Sequence, residues 1–282
     1  MGIKVQSTTS LDYASRTTTS LTKPSGTVDG DLLVAVFAHN DDKTISTVPT
    51  GWTQQGTTAN AISGINTYIY YKVAASEPSS WDWVLNASTF TAGVVLRVDG
   101  QKSTGYSDQF AGATVTNDDT PTYTNTITPT SALALIIFVI TGDGDNNSSA
   151  SGYAVVTDDP TWTERADMNG NGRLMAVATA IRTATSATGD SSATLSGTTA
   201  NVIDTTGIIS SFLRDPDEDM THPILAMNSS SIIAPTITVS TTSSNTILVM
   251  NPSTAIDSSA TAIDPTWTDE TKTDTTWTDQ TK

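Results

Sequence analysis

The chain has 282 residues, a formal net charge of −16, a hydrophobic fraction of 37% and no cysteine. Its length allows a sizeable buried core. The excess of acidic groups argues against binding to nucleic acid or anionic membrane surfaces, and the absence of cysteine excludes disulfides and cysteine-based metal sites.

The N-terminus and the longest apolar runs bear on cellular location. Residues 1–6 contain no charged head followed by an apolar stretch, and no later run is long enough for a membrane-spanning helix. The sequence therefore predicts a protein made in a cytoplasm, without a signal peptide and without membrane insertion.

The first hundred residues predict one set of strands. Residues 3–23 are rich in Ser and Thr, which is typical of half-exposed edge strands. The apolar run 30–40 is flanked by turn residues and predicts a strand buried on both faces. Further strands are predicted within 65–75, 81–85 and 91–99. The segment Gly51-Trp52-Thr53 lies between the apolar run 30–40 and the strand predicted within 65–75.

The same order of features recurs in the second hundred residues. An apolar run at 133–141 is followed by Trp162, by a strand-like segment at 173–183 and by a closing segment at 205–214. The Thr-Thr-Gly-Ile-Ile segment that opens the last of these matches Thr-Ala-Gly-Val-Val in the first set. This recurrence predicts that one unit of strands occurs twice. The repeated Trp-Thr at Trp52 and Trp162 predicts core tryptophans that close an edge of the sandwich.

A charged run at 215–219 suggests a boundary, so we predict a β-sandwich over 1–215 and a C-terminal β extension over 216–282. The last nineteen residues repeat the tetrad Thr-Trp-Thr-Asp around Trp267 and Trp277. Such a short tail cannot bury two indoles by itself. Both tryptophans are therefore interface candidates, packing on their own domain or on a neighbouring subunit.

Few residues suggest catalysis or metal binding. The acidic loop begins like a calcium loop, with Asp143 and Asp145 as weak metal candidates, but Ser148 and Ala154 stand where that loop needs Gly and Glu. A solvated turn is the favoured interpretation. Neither histidine accompanies a nucleophile-elbow motif. The sequence thus predicts no enzyme activity, no metal and no cofactor.

One segment has the composition of a sugar site. Trp81 and Trp83 fall on the same side of a predicted strand, and Asp82 lies between them. These three residues are the glycan-binding candidates, because indole faces stack on sugar rings. The alternative, which we favour, places both indoles in the core and Asp82 in water.

Several of these motifs resemble a β-sandwich module of bacteriophage structural proteins. The resemblance lies in Val28-Asp29-Gly30-Asp31-Leu32-Leu33-Val34-Ala35, then Pro49-Thr50-Gly51-Trp52-Thr53, then Tyr70-Tyr71-Lys72-Val73-Ala74 with Glu77-Pro78, then Ala92-Gly93-Val94-Val95. It covers about residues 20–215, and the repeated Thr-Trp-Thr-Asp tail also resembles C-termini of phage virion proteins. It implies a jelly-roll-like fold and a structural or attachment role, with no catalytic residues to transfer.

These observations together predict an all-β, jelly-roll-like β-sandwich with two repeated strand units and a small C-terminal β extension. The leading functional prediction is a virion structural protein, such as a capsid decoration protein or a tail or fibre component. Its predicted partners are itself, in a homo-oligomer such as a trimer, and other virion proteins. The alternative is a carbohydrate-binding module for host attachment.

Overall fold

The computed structural model describes residues 2–40, 43–56, 59–60, 64–116, 118–143, 149–157, 159–196 and 204–216, and the backbone of 226–227 and 249–250. These parts of the chain contain seventeen strands and no α-helix. None of them therefore provides a helix that could cross a membrane. The all-β prediction is confirmed.

The first unit consists of seven strands in chain order: β1 (Lys4–Thr22), β2 (Leu32–Asn40), β3 (Ile45–Thr47), β4 (Thr53–Gln54), β5 (Ala59–Asn60), β6 (Ile65–Val73) and β7 (Ser80–Asp99). They form one antiparallel sheet in the order β1-β7-β2-β6-β4, to which β3 adds at β7 and β5 adds at β6. The apolar run in β2 lies at the centre, and Leu32 to His39 are all buried, as expected for a strand covered on both faces.

The second unit contains eight strands: β8 (Ser107–Val115), β9 (Thr122–Tyr123), β10 (Ala134–Asp143), β11 (Ser149–Val155), β12 (Thr163–Gly170), β13 (Arg173–Arg182), β14 (Ser191–Ser196) and β15 (Asp204–Phe212). Five of them form a sheet in the order β12-β13-β10-β15-β8, and the other three form a sheet in the order β11-β14-β9. All pairings within these two sheets are antiparallel.

The two units have the same strand order when the second is written as β8-β15-β10-β13-β12. The registers correspond as well. Gly93 of β7 is opposite Phe37 of β2, and Gly207 of β15 is opposite Ile140 of β10. At the other edge, Thr53 is opposite Tyr71 and Thr163 is opposite Thr179. Paired residues of these five strands can therefore be matched between the two units.

The large sheets of the two units pack face to face, which makes the fold a β-sandwich. Their shared core uses the inward side of every central strand. Equivalent positions meet at this face, since Val34 corresponds to Ile137 and Val36 to Val139. The buried members of this core include Leu32, Ile69, Val94, Leu96 and Val98 from the first unit and Leu135, Met175, Val177, Ile208 and Phe212 from the second.

Each large sheet also has an outer cover. In the first unit the β1–β7 register breaks between Arg16 and Thr18. Beyond the break, β1 and β7 cover the outer face of β2, so that Trp83 packs on Phe37. In the second unit the separate sheet β11-β14-β9 has this role, and Tyr123 packs on Phe138. Strands β1 to β15 thus form four layers, which is why both faces of β2 and β10 are apolar.

The C-terminal part of the chain forms a separate compact unit that begins at Met220. Its described backbone contains β16 (Ala226–Met227) and β17 (Val249–Met250), which pair in parallel. The interface candidates Trp267 and Trp277 lie outside the described residues. The jelly-roll connectivity stays a prediction.

Candidate functional site

The glycan-binding candidates of the first unit do not present aromatic faces to solvent. Trp81 is 4% exposed and Trp83 is fully buried. Trp83 stacks on Phe37 with ring centroids 6.0 Å apart, whereas Asp82 is exposed and accepts a hydrogen bond from the Ser20 hydroxyl. The indoles are core residues and Asp82 faces water, so this arrangement does not support a sugar site at these three residues.

Of the two metal candidates, Asp143 lies within the described residues and Asp145 lies outside them. The backbone of Asp143 ends β10 and pairs with Arg173 on one side and Asp204 on the other. Among the residues that the structure does describe, no group of three or more His, Cys, Asp or Glu side chains is placed to hold a metal ion.

The first unit closes its outer cover around Trp52, which is 8% exposed. Trp81 meets the Trp52 ring edge to face at 5.1 Å, and the Lys72 ammonium lies 6.0 Å from the ring centroid. Glu77 pairs with Lys72 at 2.7 Å and accepts a hydrogen bond of 2.9 Å from the Trp81 indole. Lys72 and Trp81 therefore occupy the space around this indole.

Glu77 is a buried carboxylate with a full set of partners. Burial by itself raises its pKa, but hydrogen bonds from Lys72, from the Ala75 amide and from Trp81, together with the Lys72 charge, outweigh burial and lower the pKa. The side chain is 2% exposed. It is ionised at neutral pH and holds the loop after β6 onto the Trp52 cluster.

The equivalent tryptophan of the second unit lies beside an open hollow. Trp162 packs on Phe138 at 5.9 Å and on Tyr153 at 6.5 Å, but its ring remains partly exposed. Its indole N–H donates to Asp159 Oδ1 at 2.9 Å, and the Val155 amide donates to the same oxygen at 3.0 Å. The hollow has a volume of about 400 Å³ and is lined by Ser151, Gly152, Tyr153, Asp159, Pro160, Trp162 and Glu164.

Burial and the charge of Glu164 change the protonation of two groups near this hollow, Asp167 and Tyr153. Burial raises the pKa of Asp167 to about 6, and the nearby Glu164 charge adds to the effect, while a hydrogen bond from the Ala150 amide opposes it. Burial also raises the pKa of Tyr153, as do the charges of Glu164 and Asp167. Oδ1 of Asp167 is buried and has no hydrogen-bond partner among the residues that the structure describes. Three carboxyl groups, those of Asp159, Glu164 and Asp167, thus lie in this corner of the second unit.

Sequence reasoning placed Trp162 in the core by analogy with Trp52, and so missed the hollow. The exposure of Trp162 can be explained only from the strand register of the second unit. The positions equivalent to Lys72 and Trp81 are Ala180 and Ser191. Both are too small to cover an indole.

No protein-family model, curated protein or solved structure matches the chain. The fold and its internal register define the class of protein instead. The described residues up to 216 form an all-β sandwich made of two units that share one strand order.

Proposed function

We propose that this chain is a non-enzymatic bacteriophage virion structural protein, a capsid decoration protein or a tail or fibre component. It would act in the assembled virion as a homo-oligomer, through contacts with its own copies and with other virion proteins. The single observation that carries the proposal is the packing of two units of one topology through equivalent faces.

This packing has the form of a fused symmetric dimer. Equivalent faces of the two units line the shared core, and across it β1 lies against β12, β5 against β8 and β6 against β10. In a symmetric dimer the same patch of each subunit faces its copy, so each contact occurs twice. A strand module that already associates with its own copy inside one chain is suited to repetitive assembly between chains.

Buried polar contacts fix the two units in register. The Gln55 side chain of the first unit accepts a hydrogen bond of 2.7 Å from the Ser210 hydroxyl and donates to the Ser211 carbonyl at 3.2 Å. The hydroxyls of Thr67 and Thr141 meet at 2.6 Å in the same interface. Such contacts resist sliding of one sheet over the other, which supports a mechanical role.

The sequence adds two supporting observations. The ordered motifs of residues 20–215 resemble the phage β-sandwich module described above. The segment Asp159-Pro160-Thr161-Trp162-Thr163-Glu164 also recurs, with Asp for Glu, at 264–269, and a variant recurs at 274–279. The tail thus repeats a segment that in the second unit leads into the edge strand β12, and an edge strand can pair with another chain.

The mass of the purified full-length chain at micromolar concentration tests this proposal. We expect a discrete homo-oligomer by light scattering coupled to size exclusion. A double substitution Trp267→Ser and Trp277→Ser should weaken assembly, and the matched pair Trp267→Phe and Trp277→Phe should retain it. A chain that stays monomeric across this range and does not bind virion proteins would contradict the proposal.

The second candidate function is a carbohydrate-binding module for host attachment. The buried indoles of Trp81 and Trp83 give it no support. The partly exposed Trp162 does favour it. A sugar site at Trp162 does not depend on assembly of the chain into an oligomer.

A further inference from the structure

The two units provide an internal comparison for one tryptophan. Trp52 and Trp162 each precede a threonine that pairs with the same position of the neighbouring strand, Tyr71 in the first unit and Thr179 in the second. Trp52 is buried, whereas Trp162 is partly exposed. The fold therefore places an indole at this position twice and covers it only once.

Three substitutions between the units remove the cover. Where the first unit has Lys72, Trp81 and Trp83, the second has Ala180, Ser191 and Ala193 at the equivalent positions. The aromatic bulk moves to the central strand instead, since Phe138 stands at the position of Ala35. Phe138 packs against Trp162 from the inside, and the partly exposed indole lines the hollow.

The polar groups of the hollow hold the indole and leave acceptor atoms for a ligand. Oδ1 of Asp159 fixes the Trp162 ring through the indole N–H and is itself fixed by the Val155 amide. Its Oδ2 accepts no hydrogen bond from any residue that the structure describes. Glu164 is exposed and, within the same described parts of the chain, its carboxylate has no hydrogen-bond or ion-pair partner.

This chemistry selects a class of ligand. The C–H groups on the face of a sugar ring are weakly positive and complement the negative face of an indole. Sugar hydroxyls donate strongly to carboxylates. The acidic surroundings disfavour sugars that carry carboxylate or sulfate groups. An aromatic box for a quaternary ammonium group is not present, because Tyr153 is 8% exposed and its ring is tilted by 40° from that of Trp162.

We propose that the hollow lined by Tyr153, Asp159, Trp162 and Glu164 is a binding site for a neutral sugar ring. The sugar face stacks on Trp162, and its hydroxyls donate to the carboxylates of Asp159 and Glu164. The volume of about 400 Å³ falls within the range of small-ligand sites.

The test uses the full-length chain on an array of neutral and acidic oligosaccharides, followed by calorimetric titration of the neutral glycan retained most strongly. We expect Trp162→Ala to weaken binding at least about tenfold, Trp162→Phe to weaken it less, and Glu164→Gln to weaken it about fivefold. Asp82→Asn is the matched control, because Asp82 is an exposed acid of the first unit that lies beside buried tryptophans. It should bind like the wild type.

Several outcomes would overturn the proposal. These are the absence of any neutral glycan retained on the array, equal binding by all the variants, stronger binding of acidic than of neutral glycans, and displacement of the glycan by tetramethylammonium chloride. If Trp162→Ala fails to fold by circular dichroism, the milder Trp162→Phe and Glu164→Gln variants decide. The oligomeric state is measured in parallel, so failure of sugar binding is distinguishable from failure of the assembly proposal.

Discussion

Gly207 lies directly beneath the ring of Tyr123, and a Cβ atom at Gly207 would stand 2.4 Å from Cγ of that ring. The equivalent Gly93 lies beneath Leu21, where a Cβ would stand 2.7 Å from Cδ2. Neither glycine has a positive φ, so the backbone conformation does not require glycine. Both units need a bare backbone here because a side chain of the outer cover approaches the central sheet closely.

We expect Gly207→Ala to lower the free energy of unfolding by about 3 kcal/mol, through overpacking. Tyr123 cannot easily move aside, because it is fully buried and its hydroxyl donates to Thr205 Oγ1 at 2.7 Å. Gly93→Ala should cost less, since Leu21 is more flexible than a tyrosine ring. Urea denaturation measures both.

The control for these two variants is Gly170→Ala, whose new Cβ would meet nothing closer than 3.8 Å. We expect it to change stability by less than about 0.5 kcal/mol. Equal unfolding midpoints for the Gly207 and Gly170 variants would contradict this prediction, because they would show that Tyr123 moves away from the sheet without loss of stability.

Gln55 gives a second test, at the interface between the units. Its side chain is bonded to Ser210 and to the carbonyls of Ser211 and Gln109, and the residue is 4% exposed. Gln55→Ala leaves the Ser210 hydroxyl and the Ser211 carbonyl without this partner, so we expect a loss of about 2 kcal/mol in the free energy of unfolding. The neighbouring exposed Gln54, changed to Ala, is the control and should cost less than about 0.5 kcal/mol. Similar losses for both would mean that Gln55 does not lock the units together.

The central strands of both units and the covering strands of the first unit were predicted from sequence, whereas strands β11 and β14 of the second unit's cover were not. The runs 30–40 and 133–141 are apolar at almost every position, which is typical of strands buried on both faces, and the structure has strands at Leu32–Asn40 and Ala134–Asp143. Strand β14 escaped prediction because its inward side chains, Ser191, Ala193 and Leu195, are mostly small. The segments 81–85 and 91–99 were predicted as two strands and are one bent strand, since the bend depends on pairing with β1.

The exposed tryptophan shows a similar limit. The repeated Trp-Thr pattern correctly placed Trp52 in the core, and the same pattern predicted a core position for Trp162. Exposure of an indole depends on which side chains cover it, and those of Ala180 and Ser191 became its relevant neighbours only through strand register. Local sequence around Trp162 does not contain that information.

Glu77 should make the first unit sensitive to acid. Its pKa in the folded chain is lower than the ordinary 4.5, so its contribution to stability is present above about pH 4.5 and is lost as pH falls through the lower folded value. We expect Glu77→Gln to reduce stability at pH 7 by about 2 kcal/mol, because Lys72 and the Trp81 indole lose a charged partner. The gap between wild type and variant should narrow below pH 4. Thermal unfolding of wild type and variant from pH 7 to below pH 4 measures this difference in stability. A difference that does not change with pH would contradict the prediction.

Asp167 should make the second unit less stable as the pH rises, which is opposite to the effect of Glu77 in the first unit. Its pKa of about 6 lies above the ordinary 3.8, so the folded state holds the proton more tightly than the unfolded state. The favourable contribution is fully present below about pH 4, decreases as pH rises towards 6, and is absent above that value. Asp167→Asn, which removes the charge and keeps an acceptor for the Ala150 amide, should therefore be more stable than wild type at pH 7.5. We expect a gain of about 1 kcal/mol, because partial solvation screens much of the penalty.

The cause of the raised pKa of Asp167 can be tested separately from the size of the shift. Glu164→Gln removes the second cause and leaves burial in place, so we expect the carboxyl of Asp167 to titrate below pH 6 but still above 3.8 in that variant. Titration of the Asp167 carboxyl carbon by NMR measures both proteins. Asp82→Asn serves as the control, because Asp82 is an exposed acid of the other unit, and it should leave the midpoint unchanged. A midpoint near 3.8 in the wild type would mean that water reaches this carboxylate and that Asp167 does not destabilise the fold at neutral pH.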